Sequence, residues 1–221
     1  MIGMRSLRVA YGRTLALAGV TLDIEPGIVG VFGPNGSGKS TLLRVLAGLL
    51  PPTSGEVLWR GEAVRSSSET FRRTVAYAGH ASGLYSRLTV DENLRLFAAL
   101  HGAPEARVAD MLRALGLEER ASTLVGELSA GFRRRAAVAR ALLHEPDLLL
   151  LDEPYANLDD EASELVSAAV RRWHSPERVA LVATHGAKRL KRYAHAGLIL
   201  KEGEVAVYGR YDRARTPEPV T

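Results

Sequence analysis

The sequence predicts an α/β fold: a core built on a mainly parallel sheet, an N-terminal antiparallel β lobe and a helical insert. Three observations carry that prediction. Short continuous apolar runs, "IVGVF" (28–32), the leucines of "DLLLLDEP" (147–154) and "VALVAT" (179–184), alternate with helical patterns, as strands buried on both faces of a parallel sheet do. Residues 89–143 interrupt the alternation with helical patterns and no convincing strand. The first 24 residues read instead as two strands close together in sequence.

Taken in order, residues 3–12 and 15–24 are strands joined through Gly12 and closed by "EPG" at 25–27. The apolar run 28–32 stops at Gly33, and "KSTLLRVLAGLL" (39–50) reads as a helix halted by Pro51-Pro52. "GEVLWRG" (55–61) and "TVAYA" (74–78) are short strands. Within an insert at about 86–143, "TVDENLRLFAALHG" opens on a cap-like Thr89 with acidic residues behind it and closes at Gly102. "PEARVADMLRALGL" and "AGFRRRAAVARALL" (130–143) give two more amphipathic helices. A buried strand at 147–154, a helix at 159–174, a strand at 179–184 and a Gly-turned hairpin at 197–209 complete the core. The chain reads as one domain over 1–221, and residues 212–221, with "RTPEPVT", read as a flexible tail.

Composition narrows the function classes. The 221 residues contain no cysteine, which excludes disulfides and cysteine-ligated metals. No apolar run reaches the ~18 residues of a membrane helix, and "MIGMRSLRVAYG" lacks a secretory core, so a cytoplasmic location is expected. Of 29 basic residues 25 are Arg, several adjacent, as in Arg133-Arg134-Arg135. They read as solvated helix faces, and no run is long enough to imply a nucleic-acid partner.

The chemistry begins at "GPNGSGKST". This matches G-x-x-x-x-G-K-S between a buried strand and a helix, the context a phosphate-binding P-loop requires. Its glycines let backbone N–H groups curl inward toward phosphate oxygens, reinforced by the helix N-terminus. Lys39 would reach the β- and γ-phosphates and Ser40 would ligate Mg²⁺. The candidate nucleotide-binding stretch spans Gly33, Pro34, Asn35, Gly36, Ser37, Gly38, Lys39, Ser40 and Thr41. Asp152, at the carboxyl end of a leucine strand, is placed as the metal-positioning acid, and Glu153 beside it can orient and deprotonate a water.

"LSAGF" (128–132) then opens the helix some twenty residues before Asp152, "ANLD" (156–159) follows the acids, "ATHG" (183–186) follows a strand and "VAYG" (9–12) ends the first one. With the P-loop, in this order and spacing, the chain resembles the ATP-binding cassette (ABC) ATPases over essentially its full length. The resemblance implies that Tyr11 stacks on adenine and that His185 contacts the γ-phosphate. Asp159 would belong to the D-loop. Ser129, Ala130 and Gly131 would close on ATP bound to a second, head-to-tail copy or a homologous ATPase subunit. It also implies a separate integral membrane transporter subunit, with this chain on the inner face of the membrane, or else a soluble assembly factor such as one for iron–sulfur clusters.

Three positions depart from the family pattern. Ala130 and Phe132 replace the usual Gly and Gln, and Phe132 removes an amide that could bond across a dimer. His80 stands at the Q-loop position, which relays nucleotide state to a membrane partner, and it places there a side chain whose charge depends on pH. "GH" at 79–80 with "LSAG" resembles the haem-exporter-type ATPases of cytochrome c maturation.

Overall fold

The computed structural model describes residues 1–65 and 68–211, so the tail predicted at 212–221 lies outside the described residues. The chain opens on β1 (Ile2–Tyr11) and β2 (Thr14–Ile24), an antiparallel pair turned through Gly12. β4 (Ser54–Trp59) pairs with the free side of β1, and β5 (Glu62–Ala63) extends it, giving the order β2-β1-β4-β5. The expected antiparallel lobe is therefore present.

The second sheet runs β10-β9-β3-β8-β7-β6. Here β3 (Gly27–Phe32), β6 (Val75–Ala78), β7 (Leu148–Asp152), β8 (Val179–Ala183) and β9 (Ala196–Lys201) are parallel, and β10 (Glu204–Arg210) returns antiparallel along β9. The leucine strand shows why its sequence is unbroken by polar residues. Leu148 and Leu150 belong to one buried cluster with Val31, Leu43 and β1–β2, while Leu149 and Leu151 face a second with Leu94, Leu142 and Val170. Successive side chains point to opposite faces and both faces are covered.

Helices occupy those faces. α1 (Lys39–Leu46) follows β3 and ends four residues earlier than expected, because Gly48 takes a left-handed φ of 70°. α2 (Glu69–Thr74), not anticipated, precedes β6. The insert carries α3 (Val90–His101), α4 (Ala106–Ala114) and α5 (Ala130–Leu142). Thr89 and Glu92 form a capping box at α3, which closes on Gly102 as predicted. α6 (Asp160–Trp173) starts from Asp159, whose carboxylate accepts from Ala162 N–H at 2.7 Å. A further unanticipated helix, α7 (Ala187–Lys191), follows β8.

The arginines require a correction. Arg133, Arg134 and Arg135 do not form a solvated face. Their guanidiniums donate to the carbonyls of Leu128 (2.9 Å), Gly79 (2.7 Å) and Leu115 (2.7 Å), and Arg140 donates to Tyr77 O (2.7 Å). A planar guanidinium with five fixed donors reaches carbonyls at the ends of elements and, for Arg140, one within β6.

Candidate active site

The site forms where β3, β7 and β8 end together. Asp152 and Val31 both register with Ala183, so the loops leaving the three strands emerge at one height. From β3 comes the phosphate loop. Gly33, Gly36 and Gly38 hold φ of 145°, 78° and 101°, which L side chains rarely adopt. A Cβ on Gly33 would also lie 2.2 Å from Leu200 O, and one on Gly38 would lie 2.5 Å from Ala16 O. The loop is thus wedged between β2 and β9. The turn after β9 completes the wedge: Gly203 N–H donates to Ser37 O (3.2 Å) and Ala18 N–H donates to Gly203 O (2.9 Å). Sequence reasoning missed Ala16, Leu200 and Gly203, because they act through backbone atoms.

Inside the loop Lys39 is buried, its ammonium donating to Gly33 O (2.8 Å) and Pro34 O (2.9 Å). Ser37 is buried as well, Ser40 and Thr41 are half-buried, and Pro34, Asn35 and Gly36 are exposed at the rim. Asp152 is 4% exposed at the end of β7. Glu153 follows with φ 52°, and its N–H donates to Ala183 O at 2.8 Å. That left-handed turn swings the carboxylate toward the segment after β8. There His185 Nε2 stands 3.4 Å from Glu153 Oε1. Glu153 and His185, 32 residues apart, are therefore brought together.

Tyr11 lies at the tip of the β1–β2 hairpin, half exposed. His80 is exposed in the bend after β6, and among the described residues it makes no hydrogen bond or ion pair with Asp152, Glu153 or His185. Its neighbour Gly79 is tied by its carbonyl to Arg134, a residue of α5 that is 8% exposed.

Ser129, Ala130 and Gly131 sit elsewhere. With Phe132, Arg135 and the 157–159 segment they line a separate pocket of about 300 Å³, and no phosphate-loop residue contributes to it. Ser129 caps α5, and a Cβ on Gly131 would lie 2.8 Å from Asn157 O, so the start of α5 packs directly on the segment before α6. The Phe132 ring lies between the guanidiniums of Arg120 (5.4 Å) and Arg135 (4.3 Å).

The family model of ABC transporters matches residues 17–156, which hold the phosphate loop, the signature segment and both acids. The chain is a member of the ABC transporter family. It is an ATP-binding cassette that hydrolyses ATP. The cytochrome c biogenesis ATP-binding export protein CcmA of Paraburkholderia xenovorans is 44% identical over 183 residues, 74% of this chain and 80% of that protein. This bears out the likeness to cytochrome c maturation ATPases expected from "GH" and "LSAG". The Nod factor export ATP-binding protein I of Cupriavidus metallidurans is 34% identical over 95% of this chain and 71% of its own length. Among solved structures, a dimeric post-hydrolysis ATP-binding cassette bound to ADP and Pi superposes with a TM-score of 0.87 at 28% identity, covering 95% of this chain and 98% of that one.

Proposed function

We propose that this ABC cassette is the ATP-hydrolysing subunit of an exporter, powering a separate membrane-embedded partner and working as a head-to-tail pair with a second copy or a homologous subunit. One observation carries the pairing. Glu153 and His185 converge beside the phosphate loop, while the signature pocket of the same chain is lined without that loop. A single copy cannot close its own signature on its own nucleotide. The dimeric cassette among the structural neighbours supports the same arrangement. The export names of the relatives favour transport over an assembly factor. No helix among the described residues is long and apolar enough to cross a membrane, so attachment at its inner face falls to the partner.

In this reading Tyr11 stacks on the adenine, and the backbone of residues 33–41, with Lys39, cradles the phosphates. Glu153 accepts the proton of the attacking water as its oxygen bonds to the γ-phosphorus and the bond to the β–γ bridging oxygen breaks, releasing ADP. His185 orients a γ-phosphate oxygen and, through its 3.4 Å approach, the base. Asp159 and Ser129–Gly131 form the surface offered to the second cassette, and His80 relays nucleotide state to the membrane partner.

Mg²⁺ fits the residues present. Ser40 and Asp152 offer a hydroxyl and a carboxylate, hard oxygen donors. No cluster of three or more acidic, His or Cys side chains exists among the described residues, as suits an ion held largely by substrate phosphates and water. When bound, it neutralises charge on the β- and γ-phosphates.

Two variants test the assignment. Lys39→Ala should lose nucleotide affinity, whereas Glu153→Gln should bind ATP and accumulate as an ATP-bound dimer in sedimentation velocity with ATP and Mg²⁺. A Glu153→Gln protein that stays monomeric and turns over at the wild-type rate would sink it.

A further inference from the structure

The segment joining β7 to α6 takes left-handed φ at two non-glycine residues. Glu153 holds φ of 52°, which costs about 1–3 kcal/mol and persists only where the surroundings impose it, and Asn157 holds 61°, which asparagine tolerates better. Backbone bonds supply part of that restraint: Glu153 N–H to Ala183 O, Ala156 N–H to Glu153 O (3.1 Å) and Leu158 N–H to Tyr155 O (3.2 Å). Between these two residues stands Tyr155. Its hydroxyl bonds the hydroxyl of Tyr193, 38 residues on, just past α7.

The two tyrosines sit on the two halves of the catalytic pair. Tyr155 is two residues after Glu153, and Tyr193 is two residues beyond the helix that starts behind His185. Both phenols are pushed up by burial, so the pair stays neutral and one hydroxyl donates to the other. Tyr193 is 6% exposed, with the Arg171 guanidinium 5.6 Å from its ring centre. Another tie between these segments is Arg189 of α7 on Asp160 (2.6 Å) and Glu164 (3.2 Å) of α6, and the Ser167 hydroxyl of α6 also meets both phenols. The Asp160 side chain is fully exposed there, and water and salt weaken such pairs. The buried hydroxyl pair is a tie that solvent does not screen.

We propose that Tyr155 and Tyr193 are positioning residues for ATP hydrolysis: their hydroxyl pair pins the strained turn to α7 and so holds Glu153 against His185. The inference rests on Glu153 as the base. Neither phenol touches the reacting atoms, so both act through Glu153.

Tyr→Phe at either position keeps the ring and removes one hydroxyl. Each single variant should lose about tenfold in kcat, with KM for ATP within about twofold of wild type, because misplaced chemistry rather than lost binding is at stake. The double variant should fall short of the two single losses combined, since the bond between the two hydroxyls is lost in all three. Adding Tyr155→Phe to Glu153→Gln should leave the residual rate within about twofold, because nothing remains to position. Unchanged kcat in both Phe variants, beside a disabled Glu153→Gln, overturns the inference alone, even if their melting temperatures fall. So does a tenfold loss that persists in the Glu153→Gln background. Wild-type turnover in Glu153→Gln removes the base assignment and this inference with it.

Discussion

Asn93 is fully buried at the start of α3 and holds the loop that leads away from His80. Its Oδ1 accepts from Tyr85 N–H at 2.8 Å, while its amide donates to the carbonyls of Tyr85 (3.0 Å), Leu88 (3.3 Å) and Thr89 (2.9 Å). Asn93→Leu keeps the branched shape and heavy-atom count and removes all four bonds. The loss is smaller than four full bonds, because three carbonyls retain other donors: Leu88 N–H on Tyr85 O, Val125 N–H on Leu88 O and Asn93 N–H on Thr89 O. Only Tyr85 N–H is left orphaned. An orphaned donor costs about 1–3 kcal/mol and two further well-made bonds about 0.5–1.5 each, giving about 4 kcal/mol in all. For a chain of this size that is a fall in Tm of about 8–16 °C. Urea melts should show a lower midpoint at unchanged slope. Asn93→Asp should be at least as damaging and grow worse as pH rises, because a carboxylate keeps the Tyr85 N–H acceptor but turns three donated bonds into oxygen–oxygen contacts. A loss below about 1 kcal/mol for Asn93→Leu would show that the loop is held by something other than this side chain.

Tyr11→Ala should weaken ATP binding by about 1–2 kcal/mol, the range of a base–aromatic stack, with Tyr11→Phe near neutral; titration calorimetry beside thermal melts separates stacking from packing. Gly203→Ala places a Cβ 2.9 Å from Ala16 O at φ 79°, so it should cost about 1–3 kcal/mol and lower ATP affinity, whereas Gly61→Ala, at φ 88° with open space around it, should leave affinity unchanged. His144, stacked on His101 with centroids 4.0 Å apart, is pushed down to about 4 by burial and then by the His101 and Arg140 charges. A lowered histidine pKa means the unfolded chain binds more protons, so stability should fall as pH drops from about 6.5 to about 4, by about 2–3 kcal/mol at most for a partly exposed ring. His144→Phe should flatten that limb in melts taken across pH.

What could be read from the sequence was local. The leucines of β7 and the glycines and lysine of the phosphate loop announce themselves because their chemistry is complete within nine residues. Helices α2 and α7 escaped because six and five residues do not complete two turns of amphipathic pattern. α1 was overextended because Leu49 and Leu50 continue the apolar run, although Gly48 has already reversed the chain and Leu49 is 63% exposed. The arginines misled for a different reason. Arg134 and Arg140 find carbonyls 55 and 63 residues away, and a run of like charges looks the same whether it faces water or backbone. The tyrosine pair was equally hidden, since neither residue carries a motif.

The wedge around the phosphate loop has a consequence for biosynthesis. Gly203 grips Ser37 from one side and Ala18 from the other, so the cradle is assembled from the second strand, the third and the last hairpin. Synthesis runs from the N-terminus, and contacts so distant in sequence close late. A chain still on the ribosome with residues 1–195 outside carries the whole glycine–lysine motif yet lacks its outer wall. The last backbone restraints on the cradle are thus made only once the final hairpin has emerged.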